Sequence, residues 1–482
     1  MVINMKTTQS IRFLCLLCAV LLLAGLLAGC GDNITSEPDV YPVHVEGSIF
    51  GGAVGDSIAA ELRFDPAWIT KANNKKYRAD LAAFSALLCA DSYYREKDLA
   101  KGTQNRVLID GASAEDYTFT TLLETVGFTE VQHIESFREK EYALDGNDSV
   151  TLTLAHRTTD GAYDSYVCVI RGCFSAQEWV SAFDPGADAA AYTEMTGEHP
   201  EWTDPAVFKG FAIAAERAKE FIDAFMAEHN DPALPDCILF TGHSRGGAIA
   251  NLLGASYELD SGAKTYTYTF NAPAVIGKSA LKRVKTVFNL FDSGDFYTDP
   301  LPFSDPKPVR FGKDLMLDIA SDDAVKTAVA ALKGRDDYAS APADVLAAYK
   351  KDFAAAFPTR ASLYETKTVT ETFADKAEAE KRLAEIKTLI GADGLDLSTY
   401  CTPGEVTKTD DGYTVGYSYC GAVFTAGLSK VLAYGSAAYD ALNTLFREDS
   451  RMALVTMLYE NAAALSGGHL LVNGYVMTQY VK

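Results

Sequence analysis

Hydrophobic and polar residues follow two alternating patterns through the middle of the chain, and together they predict an open α/β sheet. Continuous apolar runs such as SYVCVIRG (165–172) and CILFTG (237–242) are typical of strands buried on both faces. Between them, AVFKGFAIAAERAKEFIDAFMAEH (206–229) has apolar residues at helical spacing, and further strands are predicted at 150–157 and 265–270. Because strands that alternate with helices form parallel βαβ units, we expect a mostly parallel central sheet with helices on both faces.

This pattern changes after about residue 302, where helical spacing replaces the alternation of strands and helices. Apolar residues recur at that spacing in SDDAVKTAVAALKG, ADVLAAYKKDFAAAF and KAEAEKRLAEIKTLIG. We therefore predict a largely helical insertion or cap over residues 303–448. It would separate a core of residues 49–302 from a C-terminal part of the same core, residues 449–482.

The N-terminal segment contains a long apolar run, FLCLLCAVLLLAGLLAG. Basic residues lie around the start of this run. This is the pattern of an export signal. A membrane-spanning anchor is the alternative, but spanning requires about 20 apolar residues and this run is shorter.

The residues that close this run are Leu27-Ala28-Gly29-Cys30. They resemble the lipobox of bacterial lipoproteins, in which the cysteine is acylated and becomes the new N-terminus. The resemblance implies a signal peptide over 1–29, lipid on Cys30 and a lipidated tether over 30–48. The protein is then expected to be exported and anchored to the outer face of a bacterial cell membrane.

Composition narrows the possible partners. The chain has 482 residues, of which 48% are hydrophobic and 22% are charged, as in globular proteins. The 65 acidic residues outnumber the 43 lysines and arginines, and the formal net charge of −22 would repel nucleic acid. Cys15 and Cys18 belong to the N-terminal apolar run, and among the remaining cysteines no Cys-x-x-Cys pair or Cys/His cluster predicts a metal; no cofactor is implied. Disulfides remain open, and Cys401 with Cys420 would close a short loop.

The first candidate for a catalytic segment is TGHSRGG, which follows the predicted strand CILF and precedes a helical pattern. The segment from Gly242 to Gly246 fits G-x-S-x-G, in which a strained turn raises the hydroxyl of the serine above the sheet. A glycine-rich turn without chemistry is the alternative. A nucleophilic Ser244 needs an imidazole and a carboxylate that orients the imidazole. If the chain order is serine, acid, histidine, His469 is the histidine that follows the strand expected to carry the acid.

The acid should end the next strand but one, where NLFDSGDFYTDPLP offers Asp292, Asp295 and Asp299. Spacing does not distinguish them, because aspartates are also common in turns beside glycine and proline.

The ordered segments resemble class 3 lipases, the fungal-type lipase family of α/β hydrolases. The similar segments are DLAAFSALLCADSYY, VCVIRGCFSAQEWVSAF, FKGF, TGHSRGGAIANLLGA, YTFNAPAV and NLFDSGDFYTDPLP. The resemblance implies the α/β-hydrolase fold and assigns the acid to Asp295, with Asp292 as the main rival. It also implies an oxyanion hole formed by the backbone N–H groups of Arg245 and Cys173.

Two residues depart from the family pattern. Cys173 stands in place of a threonine, and its thiol is a poorer hydrogen-bond donor than a hydroxyl. Arg245 stands in place of a leucine and is either a solvated charge or a contact for an anionic substrate.

His243 is expected to pack and not to titrate usefully. Residues 183–202 and the insertion are both candidate lids.

We therefore expect a serine ester hydrolase that acts on acylglycerols or related esters through an acyl-enzyme. An acyltransferase or thioesterase with the same residues is the first alternative. A lipoprotein that binds lipid without turnover is the second.

Overall fold

The structure, a computed structural model, describes most of the chain between residues 36 and 481. The described ranges are 36–51, 57–94, 105–113, 116–118, 120–136, 150–173, 176–182, 209–277, 283–295, 297–298, 308–334, 343–357, 361–391, 397–462 and 467–481.

Strands and helices alternate through the middle of the described chain. The strands are β1 (Asp39–Glu46), β2 (Ser57–Phe64), β3 (Arg106–Ile109), β4 (Glu130–Ser136), β5 (Val150–Thr159), β6 (Tyr163–Ile170), β7 (Asp236–His243), β8 (Lys264–Phe270), β9 (Ile276–Gly277), β10 (Val287–Asp292), β11 (Pro308–Val309), β12 (Lys313–Leu317), β13 (Thr366–Phe373), β14 (Cys401–Thr409) and β15 (Gly412–Cys420). The helices are α1 (Ala67–Thr70), α2 (Ala79–Asp91), α3 (Thr121–Thr125), α4 (Ala176–Ala182), α5 (Lys209–His229), α6 (Arg245–Asp260), α7 (Asp323–Lys333), α8 (Ala343–Ala356), α9 (Ala361–Tyr364), α10 (Lys376–Ile390), α11 (Ala422–Tyr434), α12 (Ser436–Phe446), α13 (Met452–Glu460) and α14 (Leu471–Met477).

A seven-stranded sheet with the order β12-β10-β8-β7-β6-β5-β4 forms the centre of the protein. Its strands from β6 to β12 pair in parallel, and only β4 and β5 add antiparallel pairs at one edge. Helices α5 and α6 cover one face of this sheet, while α2, α7 and α14 pack on the other. This arrangement confirms the predicted α/β-hydrolase fold with a mostly parallel sheet. It follows from strands that are buried on both faces and joined by crossover helices.

The core extends further toward the C-terminus than the predicted boundary at residue 302. Strand β12 pairs in parallel with β10, and α7 packs Val325 and Val329 into the core, although both elements lie within 303–448. The hydrophobic pattern does not mark this boundary, because the helical spacing of α7 resembles that of the helices that follow it.

A second hydrophobic core lies in the remaining part of the predicted insertion. Besides the predicted helices, this part contains an antiparallel sheet of β13, β15 and β14. The second core also includes residues of α13, such as Leu454 and Val455, so this unit extends beyond the predicted limit at residue 448. We call the segment from α8 to α13 the second unit.

The N-terminal boundary also differs from the prediction. Residues 39–46, assigned to a polar tether, form β1, which pairs with both β2 and β3. Val43 and Val45 on this strand are fully buried. The alternation of apolar and polar residues in VHVE was hidden by the polar residues and proline around it. Cys30 and the apolar run before it lie outside the described residues.

The six cysteines of the described chain are all free thiols, including Cys401 and Cys420. Cys168 and Cys237 are buried in β6 and β7, as their apolar surroundings indicated. Among the residues that the structure covers, no helix is long and apolar enough to cross a bilayer.

Helix α7 offers a test of the extended core. The side chain of Asp322 caps this helix by accepting hydrogen bonds from the amides of Ala324 and Val325, at 3.0 and 3.1 Å. We expect Asp322→Ala to lower the free energy of unfolding by about 1 kcal/mol, measured by urea denaturation. The matched control, Asp323→Ala, removes a carboxylate that does not cap and should have a smaller effect. Equal stability of the two variants would contradict an integral role for α7.

Candidate active site

Ser244 lies in a strained turn between β7 and α6. Its backbone angles are φ 57° and ψ −129°, a combination that residues with a Cβ atom rarely adopt. The amide of Ser244 donates to the carbonyl of Phe270 at 2.9 Å, and its carbonyl accepts from the amide of Ala248 at 3.0 Å. These bonds hold the turn at the carboxyl edge of the parallel strands, the edge at which open α/β sheets bind ligands.

Close backbone contacts explain the two glycines of the G-x-S-x-G pattern. A Cβ atom on Gly242 would lie 2.2 Å from the carbonyl oxygen of Gly246. A Cβ atom on Gly246 would lie 2.1 Å from the carbonyl oxygen of Ile170. Since Cβ atoms do not approach carbonyl oxygens this closely, only glycine lets α6 begin directly after β7 and against the end of β6.

The structure brings His469 to Asp295 across 174 positions of sequence. Nδ1 of His469 lies 2.7 Å from Oδ2 of Asp295, whose side chain is fully buried, while 15% of the His469 side chain is exposed. The other carboxylate oxygen accepts from the amide of Tyr297 at 2.9 Å. Because Nδ1 is held by the carboxylate, Nε2 is the ring nitrogen that remains for proton transfer.

Asp292, the rival candidate for the acid, supports the turn that carries Asp295. One of its carboxylate oxygens accepts from the amides of Gly294 and Ile319, at 3.1 and 3.3 Å. The carbonyl of Asp292 accepts from the amide of Asp295 at 3.1 Å. The third candidate, Asp299, lies outside the described residues.

Three side chains hold the loop that presents His469, each by a hydrogen bond to one of three successive carbonyls. Nδ2 of Asn473 donates to the carbonyl of Gly467 at 2.8 Å, and Nδ2 of Asn271 donates to that of Gly468 at 3.3 Å. Nε2 of His243 lies 2.9 Å from the carbonyl oxygen of His469 itself. Sequence reasoning assigned no role to Asn271 or Asn473, although Asn271 belongs to the YTFNAPAV segment.

The predicted oxyanion segment lies beside the nucleophile. Strands β6 and β7 are parallel with Ile170 opposite Gly242, so the residues after each strand are neighbours. A Cβ atom on Gly172 would be 3.2 Å from Cβ of Ser244. The thiol of Cys173 donates to the carbonyl of Glu178 at 3.4 Å.

Arg245 is the first residue of α6, where helix N–H groups have no intrahelical partner. Its backbone N–H comes directly after Ser244, at the position predicted for one of the two oxyanion donors. The interpretation of its side chain as a solvated charge is wrong, because Arg245 is only 1% exposed.

Aromatic residues connect the site to the second unit. The ring centroid of Tyr297 lies 4.2 Å from that of His469 and 5.4 Å from that of Trp179. Tyr297 and Trp179 both pack against the hydrophobic core of the second unit. The candidate lid at 183–202 lies outside the described residues. In the part of the chain that the structure covers, no group of three His, Cys, Asp or Glu side chains could hold a metal ion.

Residues 167–300, less than a third of the chain, match the family described as Lipase (class 3). This match includes Ser244, Asp295, Cys173 and Arg245, whereas His469 lies outside it. No curated protein sequence matches the chain.

Several solved lipase structures resemble the chain weakly. The triacylglyceride lipase of Rhizomucor miehei is 18% identical, with 51% of this chain and 81% of that chain covered and a TM-score of 0.33. The nonglycosylated LIP2 lipase of Yarrowia lipolytica is 18% identical, with 50% and 79% covered and a TM-score of 0.34. A lipase of Rhizopus microsporus var. chinensis is 14% identical, with 50% and 74% covered and a TM-score of 0.31.

At this level of similarity, the solved structures do not establish the chemistry of this chain. The family match over residues 167–300 does not depend on them. The match covers strands β7, β8 and β10 of the central sheet together with the serine turn and the carboxylate turn of an α/β-hydrolase fold. The chain is a lipase-like ester hydrolase.

The strain at Ser244 predicts an unusual order of stability. Ser244→Gly and Ser244→Ala both remove the hydroxyl, but only glycine also removes the Cβ that strains a positive φ. We expect the glycine variant to exceed the alanine variant by about 1 kcal/mol in free energy of unfolding, measured by chemical denaturation. Neither variant should hydrolyse esters. An alanine variant at least as stable as the glycine variant would refute the strain.

Substitution of Asp295 should lower kcat far more than substitution of Asp292. Asp295→Asn places an amide against Nδ1 of His469 and should lower kcat by about 10³–10⁴-fold. Asp292→Asn keeps an oxygen that can accept from Gly294 and Ile319, and kcat should stay within about tenfold of the wild type. Both kcat values are measured on p-nitrophenyl butyrate, with thermal unfolding as the check on folding. The reverse order would assign the acid to Asp292.

Proposed function

We propose that the protein is a serine ester hydrolase in which Ser244 is the nucleophile, His469 the general base and acid, and Asp295 the orienting carboxylate. The observation that carries the proposal is the 2.7 Å contact between Nδ1 of His469 and the buried carboxylate of Asp295. His469 belongs to a loop that is hydrogen-bonded to His243, the residue directly before Ser244. The three residues come from separate elements, as the chemistry requires.

The reaction proceeds through an acyl-enzyme. Oγ of Ser244 attacks the ester carbonyl carbon while Nε2 of His469 accepts its proton, and the carbonyl oxygen becomes an oxyanion. The backbone N–H groups of Arg245 and Cys173 stabilise that charge. Collapse breaks the bond to the alcohol oxygen, which takes the proton from His469. Water then attacks the acyl-enzyme with His469 again as base, and the carboxylic acid leaves.

We propose acylglycerols or related carboxylic esters as substrates. The support is the match to the class 3 lipase family together with the aromatic surroundings of the site, where Tyr297 lies beside His469 and packs against Trp179. The second unit, which these two rings contact, is positioned to shape the acyl-binding side of the site. Insertions at this edge of the sheet are how α/β folds vary substrate choice.

We also propose that the enzyme works at a membrane surface. The lipobox-like sequence that ends at Cys30 supports export and lipid anchoring to the outer face of a bacterial cell membrane. With a formal net charge of −22, the protein itself is not expected to dock on anionic lipid. The acyl chains on Cys30 would then keep the enzyme near its lipid substrates.

The first experiment is hydrolysis of p-nitrophenyl esters, from acetate to palmitate, by residues 31–482. We expect turnover by the wild type and a loss of several orders of magnitude, about 10⁴-fold or more, in Ser244→Ala and His469→Ala. Labelling by an active-site fluorophosphonate, read by mass spectrometry at Ser244, reports the activated hydroxyl independently of substrate choice. The profile over chain length distinguishes a lipase from a short-chain esterase.

A wild type that neither turns over any ester nor becomes labelled would refute the proposal and favour lipid binding without turnover. Labelling without hydrolysis would indicate that another acceptor replaces water, as in an acyltransferase, or that the acyl group is carried by a thioester. Both outcomes are measured on the same protein preparation, with Ser244→Ala as the unlabelled control.

A further inference from the structure

His243 joins the nucleophile turn to the loop of the catalytic histidine. It is the last residue of β7 and is only 2% exposed. Its Nε2 lies 2.9 Å from the carbonyl oxygen of His469, and its Nδ1 lies 2.9 Å from the hydroxyl of Tyr93. One imidazole ring thus makes two hydrogen bonds, and neither of them is to a reacting atom.

The partners of His243 determine which nitrogen carries the proton. A carbonyl oxygen only accepts, so Nε2 of His243 donates to His469. In the neutral ring Nδ1 then accepts from the hydroxyl of Tyr93. Burial, together with the neighbouring His469, lowers the pKa of His243 well below its usual value. Burial raises the pKa of Tyr93 well above its usual value. Both groups are therefore uncharged, and the direction of each hydrogen bond is fixed.

The absence of charge on His243 suits its place beside His469. The centroids of the two rings are 4.7 Å apart. During the reaction His469 becomes positively charged, and a second cation at this distance would oppose it. A neutral imidazole provides the hydrogen bond to the main chain without that repulsion.

Tyr93 extends the connection to the oxyanion segment. It follows the end of α2 and is 2% exposed. A Cβ atom on Gly172 would lie 2.0 Å from the hydroxyl of Tyr93, so this hydroxyl is in contact with the backbone of residue 172. Because Cys173 comes next in the chain, the same hydroxyl stands beside the predicted oxyanion donor.

We propose that His243 and Tyr93 are positioning residues, which set the place of the catalytic imidazole relative to Ser244 through the main-chain carbonyl of His469. The hydrogen bonds from Asn271 and Asn473 hold the same loop, but His243 is the member of this set that is covalently attached to the nucleophile. The inference rests on the proposed function. Compared with the proposed function, the inference adds two residues, which act on the distance between the serine and the histidine and not on substrate binding.

Two substitutions at residue 243 separate this role from simple packing. Glutamine places its amide nitrogen near the position of Nε2 and keeps the donor to His469. Asparagine is shorter, with its terminal atoms near the position of Nδ1, and loses that donor. We expect His243→Asn to lower kcat on p-nitrophenyl butyrate by about 10–100-fold with KM within about threefold, since small displacements of catalytic groups have costs of this size. His243→Gln should recover at least about fivefold of that loss.

Tyr93→Phe tests the second residue. It removes the hydrogen bond to Nδ1 of His243 and should lower kcat by about 3–10-fold, again with little change in KM. Its matched control is Tyr266→Phe, which removes a buried hydroxyl that donates to the carbonyl of Ala72 at 2.7 Å, near the start of β8 and not at its carboxyl end. The control for residue 243 is His156→Asn, since His156 is a buried histidine held by Asp164 at 3.1 Å. Both controls should keep the kcat of the wild type.

All variants are assayed well below their thermal unfolding midpoints, so that loss of folded protein does not enter kcat. Equal losses in His243→Asn and His243→Gln, or kcat within twofold of the wild type in both, would overturn the inference while leaving the hydrolase proposal intact. If His243→Asn does not fold, Tyr93→Phe and His243→Gln decide, because Tyr93→Phe must lose more turnover than Tyr266→Phe. A silent, unlabelled wild type would refute the hydrolase proposal itself, and this inference with it.

Discussion

The close contact between the start of α6 and the ends of β6 and β7 is the constraint on which the site depends. Glycines at 242 and 246 allow backbone atoms to meet at distances that a Cβ atom would prevent. The helix consequently begins one residue after the strand ends, and Ser244 is forced into a positive φ. The strain is the consequence of a turn that presents the serine at the carboxyl edge of the sheet.

Arg245 and His243, on either side of Ser244, are both buried. His243, at the end of the strand, is directed toward the C-terminal loop and meets the main chain of His469. Buried polar groups require partners, and the partners of His243 are the main chain of His469 and the hydroxyl of Tyr93. A hydrogen bond that satisfies a buried imidazole therefore also limits where His469 can be.

The acid and the histidine are separated by a long excursion of the chain. After Asp295 the chain adds β12 and α7 to the core and then forms the second unit before it returns at His469. The return is held by side chains from β7, from the residue after β8 and from α14, so the loop position does not depend on the second unit alone. The second unit instead packs against Trp179 and Tyr297, and the ring of Tyr297 lies next to the imidazole of His469.

Local patterns in the sequence determined the alternation of strands and helices, the serine turn and the chain order of the candidate residues. These features depend on the spacing of residues over short segments and on glycines that allow a tight turn. Only the tertiary structure decided that Asp295 contacts His469 while Asp292 supports the turn, that Arg245 is buried, and that residues 39–46 and 313–317 are strands in sheets. It also revealed the contacts of Asn271, Asn473 and Tyr93. Each of these facts is a contact between residues far apart in the chain, and no local pattern records which distant backbone group a buried side chain will meet.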